Sequence, residues 1–413
     1  MKSAEEFVGD LASFTYVGED FEGRRETRAE EVKIRGFDAR YFTNQFWTSK
    51  QRQGGTLHEV SYRACFKPQL PRFFIQRLTE NNDTVYDPFA GRGTTPVEAV
   101  LRGRRAVSND INPLSAILTT PRFDPPSIHL VGERLSKLKM DHQIKADIDL
   151  SMFYHERTES EIVSLQGYLN DRSENETEDN IDRWIRMVAT NRLTGHSKGF
   201  FSVYTLPPNQ AVTPERQILI NEKRNQKPDY RDVKKLILGK TKSLLKGLKE
   251  GERRNMASVR DASFVLTEDA SKTSAIEDDS VDLTVTSPPF LNVVQYSTDN
   301  WLRCWFNGLD AKKIEQSMTL PSSISSWENY MRSVFGELHR IMKEGGWVAF
   351  EVGEVRNGKV RLEESIVPIG IDAGFECQGV LINSHSFTKT SNIWGVSNNQ
   401  KGTNSNRVAL FRK

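Results

Sequence analysis

The chain has 413 residues and a nearly balanced charge, with 57 Lys+Arg against 55 Asp+Glu, which gives a formal net charge of +2. A composition of 37% hydrophobic and 27% charged residues is typical of a globular protein with two or three folding units, and it argues against a disordered or a wholly basic protein. The three cysteines, Cys65, Cys304 and Cys377, lie far apart and form no CxxC pair, so a disulfide scaffold and a cysteine-based zinc site are disfavoured.

The chain shows no segment typical of a membrane or secreted protein. No apolar run approaches the roughly 18 residues that a membrane-spanning helix needs. The first ten residues, MKSAEEFVGD, lack the apolar core of a signal peptide. We therefore expect a cytoplasmic protein with reduced thiols and no membrane partner. Residues 1–53 are polar and mixed in charge, and we interpret them as an N-terminal extension.

An alternation of strands and helices begins at residue 84. The run TVYDPF (84–89) is short and apolar and ends in Asp-Pro, and a glycine turn and a helix through Leu101 follow it. The run RAVSND (105–110) is a second strand of the same kind. This order of elements is typical of an α/β fold with a parallel sheet.

A long segment, residues 121–262, interrupts the alternation and is mainly helical in pattern. Its charge is segregated: residues 141–182 carry 3 basic and 12 acidic residues, net −9, and residues 183–260 carry 18 basic and 6 acidic residues, net +12. The overall charge of +2 hides this separation. A charge run of this kind fits a solvated face and a nucleic-acid contact about equally well.

The alternation resumes after the insertion and supplies five more strands. These are SFVLTED (263–269), VDLTVTSP (281–288), GWVAFEVG (346–353), FECQGVLIN (375–383) and RVALFRK (407–413). No helix-length segment separates the last two, so we expect them to pair antiparallel. The sequence thus predicts an α/β, Rossmann-like seven-stranded sheet with an antiparallel last strand. We expect residues 54–120 and 263–413 to form this sheet domain, which the insertion splits.

The first motif, DPFAGRGTT (87–95), lies at a strand end and opens a helix. Its glycines allow a ligand to approach the backbone, and a helix N-terminus presents free N–H groups. Asp110 at the end of the next strand suits a ribose diol. Thr95 and Pro96 replace the third glycine of a dinucleotide fingerprint, which disfavours NAD, and no G-K-[ST] follows, which disfavours ATP. An ordinary βα turn with Asp110 as a helix cap is the alternative.

The second motif, TSPPF (286–290), follows the strand VDLTV. Two prolines at a strand end are unusual because proline cannot donate to a sheet ladder, and they predict a stiff turn. Ser287 and the Pro288 carbonyl are placed to accept hydrogen bonds from a substrate amino group, and Phe290 is placed to stack on a planar ring. This set suits an aromatic amine that needs polarising before it attacks an electrophile.

Together the two motifs resemble those of the S-adenosylmethionine-dependent amino-methyltransferases of DNA, the N4-cytosine and N6-adenine family. The resemblance covers residues 58–120 and 262–413. It implies S-adenosylmethionine as the cofactor and no metal. It places Lys67 and Pro68 over the methionine part of this cofactor, Asp110 at its ribose, and Asp269 with Ala270 at its adenine. The remaining cofactor residues that it implies are Asp87, Pro88, Phe89, Ala90, Gly91, Gly93 and Thr94.

The resemblance also implies the chemistry. Ser287, Pro288, Pro289 and Phe290 correspond to the catalytic tetrapeptide, and a serine at its first position usually accompanies N4-cytosine. The target base is then flipped out of double-stranded DNA and receives the methyl group directly. Phe290 departs from the usual tyrosine of the family, which keeps the stacking and removes a hydroxyl. A cognate restriction endonuclease is a further expected partner, and residues 121–262 are the hypothesised target-recognition and DNA-binding region.

Several alternatives stay open on sequence alone. N6-adenine methylation is the nearest, since the same fold performs it with a different first residue in the tetrapeptide. A catalytically silent fold that only binds nucleic acid is disfavoured because both motifs are intact. Methylation of a protein amide nitrogen is disfavoured because its turn begins with Asn where this chain has Ser287. RNA is not excluded as the substrate.

Overall fold

A computed structural model describes residues 2–17, 25–48, 54–63, 65–206, 211–289, 296–318, 321, 323–355, 360–384 and 405–413. The helices within these ranges are α1 (Ala4–Ala12), α2 (Gln69–Leu78), α3 (Thr94–Leu101), α4 (Leu114–Thr119), α5 (Ile128–Lys137), α6 (Glu156–Glu174), α7 (Asn180–Thr190), α8 (Pro214–Arg224), α9 (Val233–Leu245), α10 (Glu250–Val259), α11 (Tyr296–Phe306), α12 (Ala311–Ser317), α13 (Ile324–Ile341) and α14 (Glu363–Asp372). The strands are β1 (Thr15–Tyr16), β2 (Arg25–Glu26), β3 (Arg28–Ile34), β4 (Phe37–Asn44), β5 (Thr84–Asp87), β6 (Arg105–Asn109), β7 (Phe264–Leu266), β8 (Val281–Thr286), β9 (Met342–Val352), β10 (Glu354–Val355), β11 (Val360–Arg361), β12 (Glu376–Ser384) and β13 (Ser405–Arg412).

The seven predicted strands form one contiguous block of the central sheet, in the order β12-β13-β9-β8-β5-β6-β7. Strands β5 to β9 run parallel to one another. Strand β13 is antiparallel to both of its neighbours, β9 and β12. The prediction of an α/β, Rossmann-like sheet with an antiparallel last strand is therefore confirmed, and the described part of the insertion is helical.

Two further strands extend the sheet beyond the prediction. The hairpin β3–β4 comes from the polar N-terminal region, and β4 pairs in parallel with β12. The side-chain oxygen of Asn383 on β12 accepts a hydrogen bond from the backbone N–H of Phe46 at 2.7 Å. Because β3 is an edge strand with exposed polar positions, its sequence lacks the apolar run by which the other strands are found. The central sheet thus has nine strands.

Apolar side chains of the sheet alternate between two cores, one on each face. One core joins the sheet to α2 and α3, and also contains the buried side chains of the insertion. The other joins the sheet to α13 and α14. Neighbouring residues Val85 and Tyr86 of β5 belong to opposite cores, because successive side chains of a strand point to opposite faces of the sheet. Within the described ranges, no helix is both long and apolar enough to cross a membrane.

Three helices of the insertion are joined at one buried carboxylate, Asp182 on α7. It accepts hydrogen bonds from Tyr168 on α6 at 2.9 Å and from the Arg172 Nε, also at 2.9 Å. It also pairs with Arg134 on α5. Part of the acidic stretch therefore serves to hold the insertion together. The division of the chain into extension, catalytic domain and insertion stays a prediction.

Candidate active site

The glycine loop between β5 and α3 has a backbone that favours glycine at two positions. Gly91 and Gly93 have φ of 53° and 73°, in the left-handed region. Gly93 precedes the first residue of α3, Thr94, whose hydroxyl accepts a hydrogen bond from Arg92 at 3.2 Å. A Cβ added at Gly91 would lie 3.2 Å from the Cys65 sulfur. The loop is thus closely packed against the segment that precedes α2.

That segment contains Lys67 and Pro68 and is attached to the loop by Arg92. The Arg92 guanidinium donates to the carbonyls of Val60 at 3.1 Å and Phe66 at 3.2 Å. Burial, with Arg92 as a lesser cause, lowers the pKa of Lys67. Pro68 is buried at the start of α2. The structure therefore brings the two predicted residues beside the glycine loop.

Asp110 lies directly after β6 and is hydrogen-bonded to the loop. Its carboxylate accepts from the backbone N–H of Gly91 at 2.8 Å and of Asn112 at 2.9 Å. Burial raises its pKa to about 6, against the lowering effect of these two hydrogen bonds. Ala90 donates its backbone N–H to the Asn109 carbonyl at 2.9 Å, so the loop and the end of β6 are held together.

Asp87, at the end of β5, joins the two motifs. Its Oδ1 accepts a hydrogen bond from the Thr286 hydroxyl on β8 at 2.6 Å and from the Phe89 N–H at 3.2 Å. A second contact runs from the Thr95 hydroxyl to the Val285 carbonyl at 3.0 Å. Burial raises the pKa of Asp87 to about 7. Pro88, next in the chain, is also buried.

Asp269 and Ala270 follow β7 at the same edge of the sheet. The Asp269 carboxylate accepts from the Tyr330 hydroxyl of α13 at 3.1 Å. The Tyr330 ring in turn lies 6.5 Å from the Phe89 ring, centroid to centroid. Ala270 is buried. These contacts link Asp269 through Tyr330 to Phe89 of the glycine loop, and the adenine role of Asp269 and Ala270 stays a prediction.

The Ser-Pro-Pro turn follows β8, which lies next to β5 in the sheet. Pro288 is buried, and Ser287 and Pro289 are half-buried. The Pro289 carbonyl accepts a hydrogen bond from the Trp327 indole at 3.1 Å, which fixes the direction of the turn. Phe290 lies outside the described residues, so its predicted stacking role stays a prediction.

Sequence reasoning missed one carboxylate at this turn, Glu351 near the end of β9. Its carboxylate accepts from the Asn406 side chain at 2.9 Å. Burial raises the pKa of Glu351, and hydrogen bonds from Ser287 and Asn406 partly offset this. The signal was present, since GWVAFEVG places an acid at the end of the parallel strand adjacent to β8. Side chains at the carboxyl ends of adjacent parallel strands meet at one edge.

The arrangement fits a cofactor that carries positive charge and a ribose diol. Asp87 and Asp110 have raised pKa values, and in the part of the chain that the structure describes, neither forms an ion pair. A cationic group nearby would favour their ionised forms. The half-buried Asp110 carboxylate suits hydroxyl donors. S-adenosylmethionine has a sulfonium, an ammonium and a ribose, so these residues are compatible with it.

Comparisons with known proteins agree with the motifs. The sequence profile of a DNA methylase family matches residues 12–116, which include the glycine loop and end before the Ser-Pro-Pro turn. The type II methyltransferase M.BsoBI of Geobacillus stearothermophilus is 22% identical over 333 residues, which is 72% of this chain and 63% of that protein. The type II methyltransferase M.MvaI of Kocuria varians is 32% identical over 98 residues, 23% of this chain and 20% of that protein.

The chain therefore spans less than two thirds of the length of both relatives. Among solved structures, the rRNA methyltransferase aviRa of Streptomyces viridochromogenes is 10% identical, covers 87% of this chain and 90% of its own, and has a TM-score of 0.33. Because this TM-score is low, the fold assignment rests on the order and direction of the strands in the central sheet. The sequence matches support the resemblance to the DNA amino-methyltransferases. The family match includes the glycine loop and does not reach the Ser-Pro-Pro turn.

Proposed function

We propose that the protein is a DNA methyltransferase that transfers a methyl group from S-adenosylmethionine to the N4 amino group of cytosine in a specific sequence. The observation that supports this most strongly is the contact between the motifs. The Thr286 hydroxyl donates to Asp87 at 2.6 Å, so the turn expected to hold the target amine begins where the loop expected to hold the cofactor begins. A methyl donor and a methyl acceptor that are bound at neighbouring sites react without first diffusing together.

The reaction would be a direct transfer. S-adenosylmethionine supplies an electrophilic methyl group when it is bound. The Ser287 hydroxyl and the Pro288 carbonyl would accept hydrogen bonds from the exocyclic amine of a flipped base and orient its lone pair. Glu351, which is hydrogen-bonded to Ser287, would take up through Ser287 the proton that the amine loses. Such a relay requires no cysteine nucleophile.

The choice of cytosine over adenine rests on Ser287 as the first residue of the turn. N6-adenine methylation is the second candidate, because the same acceptors suit either amine. The half-buried Ser287 hydroxyl offers both a donor and an acceptor, and its bond to Glu351 leaves the oxygen lone pairs for the substrate. As a partner we propose double-stranded DNA, and in a restriction-modification pair a cognate endonuclease.

The test is transfer of a labelled methyl group to duplex DNA, with RNA and a protein extract as parallel substrates. Label in DNA alone is the expected result. Ser287→Ala is expected to lose transfer while binding of S-adenosylmethionine stays within about twofold, because Ser287 contacts the substrate side of the site.

The matched control is Ser280→Ala. Ser280 precedes the opposite end of β8 and donates its hydroxyl to the Glu277 carbonyl at 2.6 Å. This variant should keep full transfer. Label in RNA or protein alone, or full activity of Ser287→Ala, would refute the proposal.

A further inference from the structure

Two buried arginines meet at one pair of hydrogen-bonded residues where the insertion contacts the catalytic domain. Ser61 and Asn191 exchange two hydrogen bonds: the Ser61 N–H donates to the Asn191 side-chain oxygen at 3.1 Å, and the Asn191 amide donates to the Ser61 carbonyl at 3.0 Å. Arg303 donates to the same Ser61 carbonyl at 3.1 Å. Arg192 donates to the same Asn191 oxygen at 3.3 Å. The two guanidinium groups are thus held close together.

The charge of these arginines is not neutralised by the protein groups that they contact. Each is 8% exposed. Arg303 donates to the Asn300 side-chain oxygen at 3.0 Å, and Arg192 stacks on the Phe200 ring at 3.9 Å. All of these hydrogen-bond and stacking partners are neutral. The carboxylates that act on the arginines, Glu59 on Arg192 and Asp299 on Arg303, do so without a direct ion pair. Across the described ranges, neither arginine forms an ion pair.

A third cation, Lys240 of α9, adds further positive charge beside Arg192. It is 12% exposed at its side chain, and its carboxylate partner is the half-exposed Glu59, at 3.6 Å. Burial and the neighbouring Arg192 lower the pKa of Lys240 to about 8. Burial and Arg303 likewise lower the pKa of Arg192, to about 10. Like charges that are buried side by side cost free energy, so a structural role alone does not account for them.

The site lies beside the proposed active site. Arg303 belongs to α11, the helix that follows the catalytic turn in the chain. Ser61 directly precedes Tyr62, whose hydroxyl accepts from the Asn112 side chain at 3.0 Å, and Asn112 bonds Asp110. An anion bound here would lie near the cofactor loop, because Tyr62 also packs against Gly91.

We propose that Arg192, Lys240 and Arg303 form a binding site for a backbone phosphate of the DNA strand that carries the target base. A phosphodiester supplies the negative charge that the site lacks, and guanidinium groups match its oxygens in geometry. The site is built from both the insertion and the catalytic domain, so it would position the strand as the base flips. This inference rests on the proposed function and deepens it.

The test uses Lys240→Met, which removes a charge and keeps the apolar stem, in the full chain. Binding of a duplex that contains the target sequence is measured as a function of salt, and the melting temperature is measured without DNA. We expect affinity to fall about 3- to 10-fold near 100 mM salt, and the slope of log affinity against log salt to decrease by about 1. We also expect the melting temperature to stay equal or rise, because a repulsion is removed.

Lys235→Met is the matched control. Lys235 is exposed on the same helix and lies about 140° around its axis from Lys240, so affinity and slope should stay near the wild-type values. A lower melting temperature of Lys240→Met with unchanged DNA affinity would overturn the inference in favour of a structural cation.

Three further outcomes distinguish failure of the phosphate site from failure of the proposed function. If inorganic phosphate raises the melting temperature of the wild type but not of Lys240→Met, while DNA affinity is equal, the site binds small anions and the inference is wrong. If the wild type binds no duplex even at low salt, the proposed function fails together with it. If the wild type methylates DNA and Lys240→Met matches it in affinity and slope, the phosphate site alone fails.

Discussion

Asp87 is a buried carboxylate whose hydrogen-bond partners, Thr286 and the backbone of Phe89, are neutral. Its raised pKa, about 7, means that it takes up a proton within the physiological range. The raised pKa marks the site as one that gains from a cationic ligand. At the scale of single residues, the electrostatics therefore predict how cofactor binding depends on pH.

The first prediction concerns this dependence. A cationic cofactor favours ionised Asp87, so affinity for S-adenosylmethionine should be constant above about pH 8. As the pH falls through about 7, Asp87 becomes protonated and affinity should weaken by up to about tenfold per pH unit. Calorimetric titration between pH 5.5 and 8.5 measures this. Asp87→Asn should bind weakly and lose the dependence near pH 7, and a flat profile in the wild type would contradict the account.

The second prediction concerns Glu351. In Glu351→Gln, the rate of methyl transfer should fall by about 10²-fold because the amine proton loses its final acceptor. The Kd of S-adenosylmethionine should stay unchanged. Because burial raises the pKa of Glu351, the wild-type rate should rise with pH as Glu351 ionises, and the variant should lack that rise.

The control for this variant is Glu344→Gln, which removes an exposed carboxylate from the same strand. It should keep the wild-type rate and pH profile. A merely structural role of Glu351 would lower stability and leave the shape of the pH profile unchanged. Single-turnover rates between pH 5.5 and 9 separate the two roles.

Much of the candidate site was predictable at this scale because its residues lie in two short runs. DPFAGRGTT and TSPPF each follow a strand, and parallel strands bring their carboxyl ends to one edge. Arg192 and Lys240 were not predictable as a site. They are far apart in sequence, within a stretch of many cations, and only the fold shows that Arg192 is buried with Lys240 and Arg303 as neighbours.

At the scale of elements, Asp182 shows how the insertion is held together. It is buried and bonded to Tyr168, Arg172 and Arg134, so α5, α6 and α7 share one carboxylate. Arg134 and Arg172 also contact Asp179, so loss of Asp182 would weaken the network without leaving either arginine unpaired.

The third prediction follows from this network. Asp182→Ala should lower the free energy of unfolding by about 1–3 kcal/mol, because the contacts of Tyr168 and Arg134 with the buried Asp182 are lost while Arg134 keeps Asp179 as a second carboxylate. Urea denaturation measures the change. Asp171→Ala, which removes an exposed carboxylate from α6, should change stability by less than about 0.5 kcal/mol. Equal effects of the two substitutions would contradict the described packing.

The elements of the sheet differed in how far sequence predicted them. Strands β5 and β8 are buried apolar runs and were found at nearly their observed bounds. The hairpin β3–β4 was missed because its pairing with β12 spans more than 300 residues and its polar side chains alternate without an apolar run. The buried side chains of helix α13, among them Met331, Val334 and Leu338, recur at helical spacing, so this helix has a pattern that can be recognised in the sequence.

At the scale of the whole molecule, the net charge of +2 conceals an uneven distribution. Acidic side chains such as Glu161, Glu178 and Asp182 form hydrogen bonds or ion pairs within the insertion. The buried Arg192 and Arg303, in contrast, form no ion pair within the described residues. The proposed phosphate site would thus be a local concentration of positive charge in a protein with little net charge.

The central claim is that the two joined motifs methylate an exocyclic amine of DNA, with cytosine N4 as the acceptor. Nucleoside mass spectrometry of duplex DNA, incubated with the protein and isotopically labelled S-adenosylmethionine, tests it most directly. The account predicts label in N4-methylcytosine, and its loss with Ser287→Ala. Label in N6-methyladenine would contradict the assignment of the base, and a complete lack of labelled nucleoside would contradict the catalytic role of the Ser-Pro-Pro turn.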